Sequence, residues 1–434
     1  MSEQTPESAV ASTPGSSRGG QAPRPPRSTA PRPTAGEVLH DIAAGNITRT
    51  LAAIVLSLAI ATVFIIFTNE DVQRALGYVF NQPADFFVAA GRAVTDAYEA
   101  LFRGAIYNTR ADSFAVGIKP LTESLRFAGP LIAAGLGIAL TFRAGLFNSG
   151  GQGQMVMGAV WSAWAAFQLH LPWGVHLIVA IIFGLVGAGL WAGIAGWLKA
   201  KTGAHEVIVT IMMNYIAVSL TTYLMRTPVL HDMESGSNPT TRPPDPTAVF
   251  PRIFENYDLR YSFVLCMFAV VVYWWLMERS SLGFRLRMVG LNPDAARAAG
   301  INVGRMTITA MVLSGLFVGL AGVNQSLGRD GNFGPGIDSG IGFDAITVAL
   351  LGGSGAIGVL FAGLLFGVLK AAGPTMQLAD VPPEILGVIQ GLIVLFIAAP
   401  PLVRAIFRFL PEQREITDIA TKQKPQLEAK DGQS

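Results

Sequence analysis

A series of mostly apolar runs, separated by polar segments, restricts what this chain can fold into more than any other feature. The clearest run covers residues 51–67 and contains no charged side chain. In lipid, only helices and closed barrels satisfy every backbone hydrogen bond, and about 20 apolar residues let a helix cross the hydrocarbon layer. The other runs cover residues 125–142, 155–169, 175–198, 207–224, 261–277, 306–327, 341–351, 359–372 and 385–399.

The composition agrees with burial in lipid, because only 14% of the residues are charged, against roughly 25% in soluble domains. We therefore predict an all-α polytopic membrane protein with about ten transmembrane helices, including short or broken ones. Gly129-Pro130 is expected to interrupt the second span. The runs 341–351 and 359–372 are both short and flank the turn 352–355 (Gly-Gly-Ser-Gly), which we place at membrane depth.

Lysine and arginine mark one side of the predicted spans. Lys199 and Lys201 end the fourth run, several arginines fall in the loop 278–306, and Arg404 and Arg408 follow the last run. Short cytoplasmic loops are enriched in these residues, so this side is predicted to be cytoplasmic. With an even number of spans, both termini are cytoplasmic and the segment 225–260 faces outward.

The same features divide the chain into segments. Residues 1–46 are rich in Pro, Ser, Gly and Arg and are predicted to be a disordered cytoplasmic tail. The first transmembrane helix is predicted over 47–68. The segment 69–119 mixes charges with apolar residues at helical spacing, which predicts an extracytoplasmic amphipathic segment. Residues 120–410 form the main transmembrane domain, and 411–434 form a second cytoplasmic tail.

The loop 278–306 contains a short helix with both ends marked. Asn292 is a good N-cap, Pro293 suits the first helical position and Asp294 is favoured by the helix dipole. Gly300 can close the helix in the left-handed conformation. A helix this short is unstable alone, so it is either a connector or a docking element. The residues assigned to docking are Asn292, Pro293, Asp294, Ala295, Ala296, Arg297 and Gly300.

Motifs for catalysis and metal binding are missing from the sequence. There is no Gly-Lys-Ser/Thr phosphate loop, no His-Glu-x-x-His pattern and no nucleophile elbow, and Cys266 is the only cysteine. We expect no enzymatic activity, no cofactor and no metal. Ionisable residues are few within the spans, and we interpret Asp344 and Lys370 as interfacial. An ion-coupled carrier usually carries more such groups.

Neutral amides are the main polar groups within the predicted spans. They need hydrogen-bond partners, which are either other helices or a polar solute. Two polar interruptions, at 147–154 and 328–343, each precede an apolar run, and this repetition favours a solute path. A sugar or nucleoside suits such a lining better than an ion. The residues predicted to line the path are Asn148, Gln152, Gln154, Asn214, Asn324 and Asp344.

Three blocks resemble one family of transport proteins. They are FNSGGQGQMVMGA (147–159), SLGFRLRMVGLNPDAARAAGI (281–301) and GFDAITVALLGGSGAIGVLFAGLLFG (342–367). They resemble the branched-chain amino acid/ribose-type permeases of ABC importers, and most closely the nucleoside and simple-sugar branch. The likeness covers about 121–399. The first block more often reads Asn-Ile-Gly-x-Glu-Gly-Gln in that branch, whereas this chain has Ser149, Gly150 and Gln152.

The resemblance implies a permease subunit of an ATP-driven importer in the bacterial cell membrane, with residues 120–410 as its permease domain. It also implies a second related permease, two cytoplasmic ATPase subunits that grip the helix at 292–300, and an extracytoplasmic lipoprotein receptor that delivers the solute. Nucleosides are the predicted solute. Simple sugars and branched-chain amino acids remain alternatives, followed by an ion-coupled carrier and a non-transporting membrane scaffold.

Overall fold

The computed structural model describes residues 46–399 except 233–235, 237 and 383. This part of the chain is helical and has no strand beyond isolated bridges. The predicted tails, Arg404 and Arg408 lie outside it, apart from residue 46. The helices are α1 Asn46–Thr68, α2 Glu70–Leu76, α3 Pro83–Ala105, α4 Phe114–Gly117, α5 Lys119–Arg143, α6 Gly151–Gln168, α7 Val175–Thr202, α8 Glu206–Leu224, α9 Tyr261–Trp274, α10 Ser281–Leu291, α11 Pro293–Ala298, α12 Val303–Leu327, α13 Ile341–Leu351, α14 Ala356–Gln377 and α15 Glu384–Ala398.

Seven helical stretches in the described residues are long and apolar enough to cross a membrane. Two shorter apolar helices, α13 and α15, accompany them, and the 18-residue α6 is almost entirely buried by its neighbours. The all-α polytopic fold is therefore confirmed. The side of the membrane on which the termini lie stays a prediction.

Two details differ from the sequence prediction. Pro130 does not interrupt the second span, because α5 runs without a break from Lys119 to Arg143. Membrane helices tolerate proline where neighbouring groups satisfy the freed carbonyl. The second half of the expected short hairpin is also longer than predicted, since α14 has 22 residues and only α13 is short.

The core is built around α5, whose residues from Ala128 to Thr141 are all buried. It packs against α12, α13 and α14, while α12 packs most extensively against α7 and also against α6. Small residues bring these backbones together. A Cβ on Gly322 would lie 2.2 Å from the Met155 carbonyl oxygen, so only glycine allows α12 to approach α6 this closely.

A second hydrophobic cluster joins the peripheral helices α1, α3, α14 and α15. Within the segment 69–119, α3 buries an alanine face made of Ala90, Ala93, Ala97 and Ala100. Arg92 and Thr95, on the opposite face, are exposed. The helix is thus amphipathic in its packing, and its extracytoplasmic position stays a prediction.

Candidate functional site

The start of α6 forms the first half of the candidate site. The chain leaves α5 at Arg143, passes through residues 144–150 without regular structure and begins α6 at Gly151. Asn148 in this stretch contacts Ser314, which lies about 16 Å along α12 from Val303. Non-helical backbone is tolerated at such a depth where protein surrounds it.

Asn148 is the centre of a closed hydrogen-bond network. Its Nδ2 donates to Ser314 Oγ at 2.9 Å and to Gln154 Oε1 at 3.2 Å. Its Oδ1 accepts from the backbone N of Gly150 at 2.9 Å and from Gln154 Nε2 at 3.0 Å. Both Asn148 and Gln154 are fully buried. All donor and acceptor capacity of the Asn148 amide is therefore used within the protein.

Asn214 fastens α8 to the same stretch. Its Oδ1 accepts from the backbone N of Gly153 at 2.8 Å, and its Nδ2 donates to the Ser149 carbonyl at 2.9 Å. The hydroxyls of Ser149 and Thr210 lie 2.8 Å apart. These bonds satisfy a backbone N–H in the first turn of α6, which has no side-chain cap at Gly150.

The start of α13 meets the start of α6 inside the protein. A Cβ on Gly151 would lie 2.5 Å from the Gly342 carbonyl oxygen, and a Cβ on Gly342 would lie 2.3 Å from the Gln152 backbone N. The two polar interruptions singled out in the sequence therefore lead to helix N-termini in direct backbone contact. Gln152 is half-buried, and none of the described residues hydrogen-bonds its side chain.

Asp344, in the first turn of α13, carries a charge that is paired. Its Oδ2 lies 2.8 Å from Lys370 Nζ, and the two side chains are 22% and 20% exposed. Lys370 also donates to the Ser339 carbonyl at 2.9 Å. Ser339 has φ 46° and Gly340 has φ 77°, so the chain turns through two left-handed residues just before α13.

Asn324 lies apart from the other predicted path residues. It is buried in α12, and its Nδ2 contacts the sulfur of Cys266 at 3.7 Å. The structure thus divides the six predicted residues into a group at the start of α6 (Asn148, Gln152, Gln154 and Asn214), the paired Asp344 at the start of α13, and Asn324.

A polar cleft of about 470 Å³ opens beside these elements. Asp330 in its wall contacts Arg260 at 2.7 Å and Arg252 at 2.6 Å. The hydrogen bond from Arg260 and the positive charge of both guanidinium groups hold the pKa of Asp330 below its usual value. The cleft is lined by Arg126, Phe127, Arg252, Asp258, Arg260, Gln325, Gly328, Arg329, Asp330 and Ser339.

The turn between α13 and α14 is buried on one side by α9. Tyr273, itself buried, donates its hydroxyl to the Ser354 carbonyl at 2.7 Å. Ser354 and Gly353 both have positive φ, at 55° and 57°. Ser354 is half-buried and Gly353 is exposed.

The helix in the loop 278–306 has the geometry that its sequence predicts. Asn292 Oδ1 accepts from the backbone N of Asp294 at 2.9 Å and of Ala295 at 3.0 Å. Gly300 follows with φ 80°. The side chains of Asp294 and Arg297 are 86% and 62% exposed. A groove of about 540 Å³ runs beside the helix, between Lys199 and Thr307.

Several residues of this site escaped the sequence reasoning. Ser314 has no distinguishing motif, and only the packing of α12 on α6 brings it to Asn148. Lys370 is paired with Asp344 seven residues before the end of α14, a pairing that the sequence pattern does not encode; its interfacial position stays a prediction. The sequence signal that was available is the rarity of charged residues in the spans.

Comparisons with known proteins agree with this architecture. The family model described as "Branched-chain amino acid transport system / permease component" matches residues 121–398. The chain is 36% identical to the guanosine ABC transporter permease protein NupP of Bacillus subtilis, over 74% of this chain and 90% of that protein. It is 33% identical to the nucleoside ABC transporter permease protein NupB of Lactococcus lactis, over 81% and 95%. It is 35% identical to the glucose ABC transporter permease protein TsgB13 of Haloferax volcanii, over 64% and 75%. No solved structure matches the chain significantly.

The fold and these matches define a multi-pass membrane component of a transport system. The chain belongs to the family of permease components of branched-chain amino acid-type transport systems. The predicted resemblance is confirmed over nearly the same residues. Members of such a family are transport components, and they work with an ATPase and a solute-binding component.

Proposed function

We propose that this chain is the permease subunit of an ATP-driven importer and forms the translocation path for nucleosides. The observation that carries the proposal is the similarity to a guanosine and a nucleoside permease along most of both chains. The neutral amides at the start of α6 suit an uncharged polar solute. The glucose permease is almost as similar, so a simple sugar is the second candidate.

The solute path is proposed to pass the meeting point of α6 and α13. All six predicted residues remain part of this proposal, with different roles. Gln152 and Asp344 are partly exposed and have unused hydrogen-bond capacity, so we assign them direct solute contacts. Asn148, Gln154 and Asn214 are buried and hydrogen-bonded within the network, and Asn148 uses all of its capacity there, so we assign these three residues to holding the path in shape. Asn324 is assigned to the wall formed by α12.

The exposed helix at 292–300 is proposed to dock on an ATPase subunit. Its backbone is fixed by the Asn292 cap and by Gly300, while Asp294 and Arg297 extend into solvent. A rigid, exposed helix of this kind can transmit a push from a soluble partner to α10 and α12, which flank it. The loop is therefore assigned to the cytoplasm, together with both termini.

The remaining partners follow from the family. We propose a second, related permease across the membrane domain, two ATPase subunits and an extracytoplasmic lipoprotein receptor. The loops 225–260 and 328–340 are proposed to face that receptor. They are joined to each other, since the backbone N of Thr241 donates to the Phe333 carbonyl at 3.0 Å.

The solute assignment is tested by uptake in the source cells with and without this gene. Labelled guanosine, uridine, glucose, ribose and leucine are supplied separately. We expect loss of the purine and pyrimidine nucleosides and restoration by the plasmid-borne gene. Unchanged nucleoside uptake with loss of glucose or ribose would contradict the nucleoside assignment and favour a sugar importer.

The docking assignment is tested at Gly300. Nothing lies within 4 Å of a Cβ at this position, so Gly300→Val acts only through the left-handed backbone. Co-purification of the ATPase and uptake should both fall. Gly203, at φ 71° after α7 and equally uncrowded, offers the matched control Gly203→Val. An equal loss of ATPase in both variants, or in neither, would contradict docking at 292–300.

A further inference from the structure

We propose that the ion pair of Asp344 and Lys370 binds the vicinal hydroxyl groups of the pentose in the transported nucleoside. The inference rests on the proposed function and assigns a specific contact within it. It concerns two charged side chains that are paired with each other, one on α13 and one on α14.

The position of the pair is unusual for charged residues. Lys370 lies seven residues before the end of α14, which corresponds to about 10 Å of helix. Charged groups inside spans are rare and mark solute or ion pathways where they face an aqueous cavity. Both side chains are partly exposed, so a solute can reach them.

Hydrogen-bond capacity remains on both partners. The Lys370 ammonium has three N–H groups; it forms an ion pair with Asp344 Oδ2 and donates one hydrogen bond to the Ser339 carbonyl. Among the described residues, nothing else bonds its third N–H or the Oδ1 of Asp344. The pair therefore offers one free donor beside one free acceptor.

This arrangement matches a vicinal diol. One hydroxyl can donate to the carboxylate while its neighbour accepts from the ammonium, so both bonds are charge-assisted. A hydroxyl-free ring cannot form either bond. A base, in contrast, presents ring nitrogens and carbonyl groups at wider and more varied spacings.

The polar cleft reaches a direct hydrogen-bond partner of the pair. Ser339, whose carbonyl accepts from Lys370, lines the cleft of about 470 Å³, and pockets of several hundred cubic ångströms hold small ligands. Ser339 and Gly340 hold the chain in two consecutive left-handed conformations at this point. Strain of this kind is retained where the surrounding structure fixes a functional geometry.

The test compares uptake of guanosine with uptake of 2′,3′-dideoxyguanosine by the complete importer in cells. We use the single variants Asp344→Asn and Lys370→Gln and the double variant, which keeps a neutral hydrogen bond between α13 and α14. The guanosine-to-dideoxyguanosine uptake ratio should fall on the order of tenfold in each. The receptor is the same throughout, so its own preference cancels between variants.

Glu206→Gln is the matched control, because Glu206 and Lys199 form another partly buried ion pair, at 2.6 Å. Its uptake ratio should equal that of the unaltered protein. If Asp344 and Lys370 variants lower both substrates equally, the pair only joins two helices and the inference is wrong. If the unaltered protein takes up no nucleoside at all, the proposed function itself fails, which is a distinguishable result.

Discussion

The N-terminal ends of α6 and α13 lie side by side in the protein, but they carry different kinds of polar side chain. Both follow a non-helical stretch, and their backbones touch at Gly151 and Gly342. At α6, neutral amides are buried and hydrogen-bonded to one another and to the backbone. At α13, a charged pair is partly exposed and keeps unused donors and acceptors. We propose that the start of α6 holds the path in shape and that the start of α13 contacts the solute, so substitutions should affect stability at α6 and selectivity at α13.

The largest effect is expected when the backbone contact between the N-terminal ends of α6 and α13 is removed. In Gly342→Ala the new Cβ would meet Gln152 backbone atoms at 2.3–2.4 Å, so the backbones of α6 and α13 would have to move apart. We expect a loss of about 4 kcal/mol in unfolding free energy, with uptake abolished, measured by denaturation in detergent. Gly391→Ala, where a Cβ meets nothing within 4 Å, is the control. Equal stability of the two variants would show that the contact between α6 and α13 does not stabilise the protein.

A smaller loss of unfolding free energy is expected when the hydrogen-bond network around Asn148 is disrupted. Asn148→Leu leaves the Ser314 hydroxyl, the Gln154 amide and the Gly150 N–H without partners, at a cost on the order of 3 kcal/mol. The same denaturation measurement on Asp344→Asn should show a clearly smaller loss. A larger loss in Asp344→Asn than in Asn148→Leu would contradict the proposal that the start of α6 is the more rigid of the two.

Acid is expected to weaken the ion cluster in the loop before α13. Asp330, in the loop before α13, has a lowered pKa because Arg260 and Arg252 bond its charged form. A lowered pKa in the folded state stabilises above the ordinary value near 3.8, and this stabilisation disappears as the pH falls through the lowered pKa. Melting temperatures between pH 6 and 3 should therefore fall less in Asp330→Asn than in the unaltered protein. Parallel curves would contradict a role for this ion cluster.

The smallest effect on stability is expected at Gln152. Its side chain is half-buried and bonds none of the described residues, so Gln152→Ala should change the unfolding free energy by less than about 0.5 kcal/mol. Nucleoside uptake should nevertheless fall severalfold. A stability loss as large as that of Asn148→Leu would place Gln152 in the network instead of on the path.

Sequence reasoning identified the polar groups better than their partners. Local residue types predict the pattern of spans, the capped helix at 292–300 and the two polar interruptions. Each of these features depends on residues that are close together in the sequence. The Ser314 partner of Asn148 depends on how α12 packs on α6, which hydrophobic runs do not encode. The pairing of Lys370 with Asp344 was not predicted, because it depends on the relative depth of α13 and α14, and run lengths leave this open.

The difference between the two starts is tested most directly by thiol accessibility. Cys266 is buried, so the natural thiol should give little background reaction. Single cysteines replace Asp344 or Asn148, and a membrane-impermeant thiol reagent is added outside, with and without nucleoside-loaded receptor. We expect Asp344→Cys to react and to be protected by nucleoside, while Asn148→Cys stays unlabelled. Labelling of Asn148→Cys with nucleoside protection, and none at Asp344→Cys, would contradict the assignment of the solute contact to α13.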